Sequence, residues 1–303
     1  MKTSTKVLIL VFVVLVAIYL GQEYFGGKTR SESYKSKLVE INTEEVNMMR
    51  LTKGEQEITL KRSGEEWRLT LPSGKEVPAK YSAVEQAVNS LESITPDKMV
   101  ARVSEKWAEY EVDTAGTRVE IYEGDKKTLD IVLGKFGMRG QNQFYNHVRL
   151  FDDDEVYVAN DFISFTVPYG PDSYRDQDLF DIQKDSLTSI TFEYPADSSF
   201  VMEKQDDHWL VEGVEADSSA LAGYFGSLAY KASSSFEDET EQSSLGQPLW
   251  KITFKATNKE TVVDAYQEGD KWFVKTSENV SLFSDDELLR EIFVGKTVLL
   301  GGK

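Results

Sequence analysis

Two histidines and one run of acids are the side chains in this sequence that could bind a metal ion. His147 and His208 lie in different halves of the chain, and the sequence contains no cysteine. A zinc site needs three or four grouped ligands, so these histidines do not predict one. The run Asp152–Glu155 offers carboxylate oxygens to Ca²⁺, but it lacks the glycine and the distal glutamate of an EF-hand loop. We interpret it as a solvated turn and predict neither a metal nor a cofactor.

A glycine-containing stretch has some similarity to a nucleotide-binding loop. Gly134, Gly137 and Gly140 form G-x-x-G-x-x-G, which differs from G-x-G-x-x-G and lies between two predicted strands. We therefore interpret it as a flexible hairpin. The phosphate-binding Walker A motif and the nucleophile motif G-x-S-x-G do not occur in the sequence.

Carboxylate pairs catalyse glycoside hydrolysis, and this chain is rich in acids. Among 52 Asp and Glu residues some pair is expected at a suitable distance by chance, and nothing in the sequence selects one. We predict no catalytic residue and expect the protein not to be an enzyme. The net charge of −18 argues against a broad electropositive face, and therefore against a nucleic-acid partner.

Three tryptophans follow charged turns: Trp67, Trp209 and Trp272. Exposed tryptophans would form a platform for sugars or peptides. Each of these lies in a stretch of alternating apolar and polar residues, which predicts a strand whose large side chain closes the end of a core. We therefore predict that they pack in cores.

The order of predicted elements occurs twice along the chain. Trp67 and Trp209 mark matching strands, and Thr117 and Trp250 open matching later strands. Between them, Pro78 precedes one predicted helix, and Asp217 is placed to cap the other. The pattern predicts an α+β fold with two repeated modules, each an antiparallel sheet with one main helix on a face. A last helix is predicted at 285–293, and the apolar tail 294–300 is expected to add an edge strand or to touch a partner.

The N-terminal part contains an unbroken apolar run, and twelve Val, Ile, Leu and Phe residues in it favour membrane insertion by about −4 to −7 kcal/mol. We predict an uncleaved, single-pass transmembrane helix that contacts the lipid bilayer and precedes the two modules, although a cleaved signal peptide would share the same features. Basic residues lie on both sides of the run, and we place the C-terminal body outside the cytoplasm. The predicted anchor residues are Val7, Leu8, Ile9, Leu10, Val11, Phe12, Val13, Val14, Leu15, Val16, Ala17, Ile18, Tyr19 and Leu20.

These observations give a domain plan for the whole chain. The plan has a short N-terminal tail at 1–6, the transmembrane anchor at 7–25, a linker at 26–37, a first α+β module at 38–167, a connector at 168–181 and a second module at 182–303.

A series of short motifs lies between Trp67 and Phe180: Trp67-Arg68-Leu69, Tyr110-Glu111-Val112-Asp113, Leu133-Gly134, Val148-Arg149, Val156-Tyr157-Val158 and Tyr174-Arg175-Asp176. Together they resemble the uncharacterised domain-of-unknown-function 4340 family, which tends to have glycine where this chain has Glu111. The resemblance implies a single-pass membrane protein with a large extracytoplasmic body that accompanies ABC-type transporters related to the gliding-motility export system. It implies no catalytic residue.

We therefore expect a non-enzymatic accessory or ligand-engaging subunit of an ABC-type transport or envelope-assembly complex, with a membrane permease as its partner. Two alternatives stay open. One is a stand-alone envelope scaffold, and the other is a carboxylate-dependent hydrolase that acts on envelope glycans.

Overall fold

The computed structural model describes residues 37–159 and 163–302. The predicted tail, the anchor and all but the last residue of the linker lie outside this range. Within it, no helix has both the length and the apolar character needed to cross a membrane. The chain divides into two compact units, with the boundary between Tyr174 and Arg175.

The first unit is an antiparallel sheet with one main helix. Its strands follow the order β4-β3-β2-β1-β6-β7-β8-β9-β5. In chain order the elements are β1 (Val46–Lys53), β2 (Gln56–Ser63), β3 (Glu66–Thr70), β4 (Glu76–Ala79), α1 (Tyr81–Glu92), β5 (Pro96–Ala101), β6 (Thr117–Glu123), β7 (Lys126–Arg139), β8 (Gln143–Leu150), β9 (Val156–Ala159) and α2 (Ile163–Thr166).

The second unit contains a sheet with the order β14-β13-β12-β11-β16-β17-β18-β19 and a separate pair, β10 with β15. Its elements are β10 (Asp178–Phe180), β11 (Leu187–Glu193), β12 (Phe200–Gln205), β13 (His208–Val211), β14 (Val214–Glu215), α3 (Ser218–Leu228), β15 (Lys231–Ala232), β16 (Trp250–Ala256), β17 (Glu260–Glu268), β18 (Lys271–Thr276), β19 (Leu282–Phe283), α4 (Asp286–Ile292) and α5 (Lys296–Leu299).

The observed fold is therefore α+β, as predicted, with helices packed on antiparallel sheets. In the first unit, the buried face of α1 contributes Val84, Val88 and Leu91 to the same core as the sheet. In the second unit, Asp217 caps α3, because its carboxylate accepts hydrogen bonds from the amides of Ser219 and Ala220. The apolar face of α1 and the Asp217 cap of α3 both follow directly from local sequence.

The tryptophan prediction agrees with the structure. Trp67 and Trp209 are buried in the cores of their units. Trp272 is partly buried and packs against Trp250 with the rings tilted and 4.5 Å between their centroids. These side chains close cores and do not form an exposed platform.

Of the two expectations for the tail 294–300, the edge strand is wrong. Residues Lys296–Leu299 form the short helix α5, and the buried Leu299 accepts a hydrogen bond through its carbonyl from the amide of Asp217. Packing against the start of α3 therefore overrides the strand propensity of the apolar tail. Gly301, with a φ of +72°, then ends the helix with a backbone conformation that favours glycine.

Candidate functional site

The segment 102–116 covers the outer face of the first sheet, opposite α1. It consists of two short 3₁₀ turns, Ser104–Lys106 and Ala108–Tyr110, closed by a hydrogen bond from the Val112 amide to the Trp107 carbonyl at 3.0 Å. Val112 packs with Val132 of β7 and Val156 of β9 in a small cluster that Trp107 and Tyr110 partly cover. The outer face of the sheet therefore has its own apolar layer.

Glu111 adopts a left-handed backbone conformation, with a φ of +54°. Glycine takes this conformation at the least cost. The family that this chain resembles tends to have glycine at this position, and glycine would adopt the left-handed conformation with less strain. The substitution in this chain keeps the turn and adds a small backbone strain.

Two glycines let this segment lie directly on the sheet. A Cβ atom at Gly134 would lie 2.4 Å from the Tyr110 carbonyl oxygen and 2.5 Å from a Val112 methyl group. A Cβ atom at Gly116 would lie 2.4 Å from the Glu111 carbonyl oxygen. These distances are too short for any side chain. Gly134 lies inside β7, and its lack of a side chain allows the backbone of the segment to approach the strand closely. Of the three glycines in the predicted hairpin, only Gly140 lies at the turn itself, with a φ of +66°.

Arg149 ties two backbone segments together beneath this layer, one at Val112 and one at 150–153. Its Nε donates to the Val112 carbonyl at 3.0 Å, and one terminal nitrogen donates to the carbonyls of Leu150, Phe151 and Asp153 at 3.2, 2.7 and 3.1 Å. The guanidinium carbon lies 3.8 Å from the centroid of the Trp107 ring, a cation–π arrangement. Burial lowers the pKa of Arg149 from its usual value, but an arginine remains charged in proteins.

The acidic run at 152–155 is organised by this arginine. The Asp153 carbonyl binds Arg149, and the Asp153 carboxylate accepts a hydrogen bond from the Glu155 amide at 3.2 Å. The run is therefore a turn held by one hydrogen bond from Arg149 and one hydrogen bond within the run. Within 37–159 and 163–302, no group of three or more His, Asp or Glu side chains is placed to hold a metal ion.

A groove of about 440 Å³ opens beside the stacked side chains. Phe151 is 38% exposed there, and the Arg118 guanidinium carbon lies 3.4 Å from the centroid of its ring. We call this surface the Trp107 groove and define it by six residues that line it: Thr52, Trp107, Asp113, Arg118, Arg149 and Phe151. It offers aromatic and guanidinium faces to a bound group.

Next to the groove, two carboxylates lie opposite each other on β6 and β7. Arg118 donates to both oxygens of Asp130, at 2.8 and 2.7 Å, and Lys127 bonds Asp130 and, at 3.0 Å, Glu120. Burial alone would raise the pKa of Asp130, but the hydrogen bonds from Arg118 and Lys127 outweigh it and hold that pKa below its usual value. Asp130 is therefore ionised at neutral pH, which does not suit the proton donor of a glycosidase.

The two histidines belong to different units and to different environments. His147 is buried under the Tyr110 ring, with 4.7 Å between centroids, and its Nδ1 lies 3.0 Å from the Lys135 carbonyl oxygen. This contact makes Nδ1 the protonated nitrogen. His208 is exposed in the second unit, where it bonds Glu215 at 2.9 Å.

His147 is expected to make the first unit sensitive to mild acid. Burial, the largest cause, lowers its pKa below the ordinary value, so folding favours the neutral ring. The stability that the neutral His147 ring contributes is present above about pH 6.5 and is lost as the pH falls through the lowered pKa. The melting temperature should therefore fall between neutral pH and pH 5, and His147→Gln should reduce that fall. His208→Gln is the control, and an equal effect of both variants would contradict this assignment.

The sequence motifs locate only part of the groove. Tyr110-Glu111-Val112-Asp113, Leu133-Gly134 and Val148-Arg149 meet here, although they are distant in the chain. Trp107, Arg118 and Phe151 were not predicted as site residues. The sequence offers one signal for the groove, which is the position of Trp107 shortly before the motif Tyr110-Glu111-Val112-Asp113.

Comparison with known proteins gives one match. A family model described as "Domain of unknown function (DUF4340)" matches residues 67–249, a range that contains every residue of the Trp107 groove except Thr52. No curated protein matches the chain. No solved structure matches it.

Proposed function

The chain belongs to the DUF4340 family, and from that premise we propose that it is a membrane-anchored, extracytoplasmic accessory subunit of an ABC-type transport or envelope-assembly complex. In this proposal the apolar run 7–20 spans the membrane once and the two units lie outside the cytoplasm. The protein engages its partner, a membrane permease, or that permease's ligand through the Trp107 groove, and it catalyses no reaction.

The observation that carries the proposal is the construction of the groove. Trp107 lies over Arg149, and the four hydrogen bonds that Arg149 donates to backbone carbonyls fix the position of its guanidinium group. Side chains whose positions are fixed before the ligand arrives lose less conformational entropy on binding, which favours affinity. Phe151 and Trp107 are aromatic groups of the kind that dominate binding energy at protein interfaces.

The finer description of the fold is part of the same proposal. The first sheet places β4-β3-β2-β1 beside β6-β7-β8-β9, and the second places β14-β13-β12-β11 beside β16-β17-β18-β19. In the chain, α1 follows β4 in the first unit, and α3 follows β14 in the second. This shared order supports a duplicated module, with the connector at 168–181 between the copies.

Co-purification tests the proposed function. The full chain, carrying an affinity tag, is expressed in the cells that make it, extracted in a gentle detergent and recovered with its partners. We expect a membrane permease among them. Phe151→Ala should reduce the amount of permease by about tenfold, because truncation of an aromatic anchor removes a large share of the binding energy.

Tyr230→Ala is the control, since Tyr230 is an aromatic residue of the second unit that is 96% exposed. It should leave the recovery of the permease unchanged. Recovery of the chain alone would contradict the accessory role. A stand-alone scaffold would, in addition, be far more abundant than any transporter. Equal recovery with Phe151→Ala and the unchanged chain would show that the Trp107 groove is not the binding surface.

A further inference from the structure

The floor of the Trp107 groove is a row of side chains that crosses four strands. Thr52 of β1 lies opposite Arg118 of β6. Val132 of β7 lies between Arg118 and Arg149 of β8. Paired residues of neighbouring strands point to the same face of a sheet, and Val132 packs against Val112 on the outer face. The groove therefore places two guanidinium groups on either side of one apolar side chain.

The two guanidinium groups differ in what neutralises their charge. Arg118 donates to both carboxylate oxygens of Asp130 and lies 3.3 Å from a carboxylate oxygen of Glu120. Arg149 has no carboxylate oxygen within 4.0 Å anywhere in residues 37–159 and 163–302. Its hydrogen bonds in that range all go to backbone carbonyls, which carry only a partial negative charge. Arg149 is therefore a buried cation without a full counter-charge, an arrangement that costs free energy.

One nitrogen of Arg149 has no partner in the part of the chain that the structure describes. Its Nε and Nη1 make the four hydrogen bonds, and its Nη2 donates to none of the described residues. Arg149 is only 3% exposed, yet Nη2 is not sealed in the interior, and the residue lines the groove. Nη2 is therefore a donor that the groove presents to a bound group, beside the ring of Trp107.

The charge of the groove is opposite to that of the whole chain. Its charged lining residues are two arginines and one aspartate, Arg118, Arg149 and Asp113, which gives a net charge of +1 in a protein whose net charge is −18. The carboxylates of Asp153 and Asp154 act on Arg149 only from more than 4.0 Å away. A negatively charged group in the groove would therefore meet the unneutralised charge of Arg149.

We propose that the Trp107 groove binds a carboxylate carried on an apolar group, and that Nη2 of Arg149 donates a hydrogen bond to this carboxylate. The carboxylate supplies the missing counter-charge, and a hydrogen bond between two charged groups is about twice as strong as one between neutral groups. The apolar group meets Val132 and the rings of Trp107 and Phe151. This inference rests on the proposed function, since it names the chemistry that the same groove recognises in the permease or in the permease's ligand.

Two probes of the same shape test for the carboxylate. The full chain, purified in a gentle detergent, is titrated with 4-fluorophenylacetate and with 4-fluorophenylacetamide. Fluorine NMR of the probe measures binding, and protein-free micelles are the blank. We expect a Kd of about 1 mM for the carboxylate, as for other fragments of this size. The uncharged amide should bind at least about tenfold more weakly. Equal affinities, or no binding of the carboxylate at about 10 mM, would overturn the inference.

Charge changes in the groove test the same point while they keep Arg149, whose loss is expected to destabilise the first unit. Thr52→Glu adds a carboxylate and should weaken the binding of 4-fluorophenylacetate by about threefold. Thr188→Glu is the matched control, because Thr188 is an exposed strand residue of the second unit, and it should not change the affinity. Asp113→Asn keeps the oxygen that accepts from the Ala115 amide and removes a negative charge, so it should strengthen binding by about threefold. Unchanged affinity in both groove variants would also contradict the inference.

The same probes in the co-purification experiment separate the two sources of the carboxylate. If 4-fluorophenylacetate releases the permease from the immobilised chain and the amide does not, the carboxylate belongs to the permease. If the permease stays bound, the carboxylate belongs to the permease's ligand. Recovery of no permease contradicts the proposed function, whereas the preference of the purified chain for the carboxylate over the amide decides the inference by itself.

Discussion

Replacing Arg149 by methionine is expected to lower the free energy of unfolding by about 3 to 5 kcal/mol. Methionine fills part of the space but donates no hydrogen bond. The carbonyls of Val112, Leu150, Phe151 and Asp153 would then lose a donor inside the structure. Urea denaturation measures the loss, and hydrogen exchange should place it in residues 37–174.

Arg139→Met is the matched control, since the Arg139 side chain is 49% exposed and the chemical change is the same. It should alter the free energy of unfolding by less than about 0.5 kcal/mol. Arg149→Lys should fall between the two, because an ammonium group keeps the charge but cannot reproduce the planar fork of the guanidinium. Equal stability of Arg149→Met and Arg139→Met would show that Arg149 does not hold the segment 102–116.

Gly134→Ala is expected to destabilise the first unit by about 3 kcal/mol, at the upper end of the usual cost of overpacking. The added methyl group would meet the backbone carbonyl of Tyr110, which is part of a closed turn and cannot rotate away. Thermal unfolding measures the effect. The same change should displace Trp107 and therefore weaken partner binding by the groove.

Gly223→Ala is expected to change the free energy of unfolding in the opposite direction. Gly223 lies within α3, and a Cβ atom there meets no atom within 4 Å. Alanine should raise the free energy of unfolding by about 0.5 to 1 kcal/mol, since it costs less backbone entropy in a helix. If Gly134→Ala is as stable as the unchanged chain, the close approach of the segment to β7 is not a constraint on the fold.

The sequence predicts the parts of the fold that local pattern controls. The alternation around Trp67 and Trp209 marks strands that the structure contains, and Asp217 caps its helix as expected. The strand Pro96–Ala101 was missed, because its partly buried residues do not alternate. The tail 294–300 is expected from sequence to add an edge strand or to touch a partner. Its helix at Lys296–Leu299 is not predicted, because the contact with Asp217 is invisible in local sequence.

The groove was harder to predict because long-range contacts build it. Arg149 bonds Val112, and Gly134 lies under Tyr110. The two members of each pair are too far apart in the chain for a local sequence pattern to predict their contact. The run Asp152–Glu155 illustrates the same point. The sequence predicts a solvated turn there, and the structure adds that the carbonyl of Asp153 accepts a hydrogen bond from the neighbouring Arg149. A charged cluster thus acquires its role from the side chain that the fold places beside it.

Site-specific photo-crosslinking in the cell tests the central claim most directly. A photoreactive phenylalanine analogue replaces Phe151 in the full chain, and the same analogue at Tyr230 serves as the control. We expect a covalent adduct with a membrane permease from position 151 and none from position 230. No adduct from position 151, or the same adducts from both positions, would contradict it.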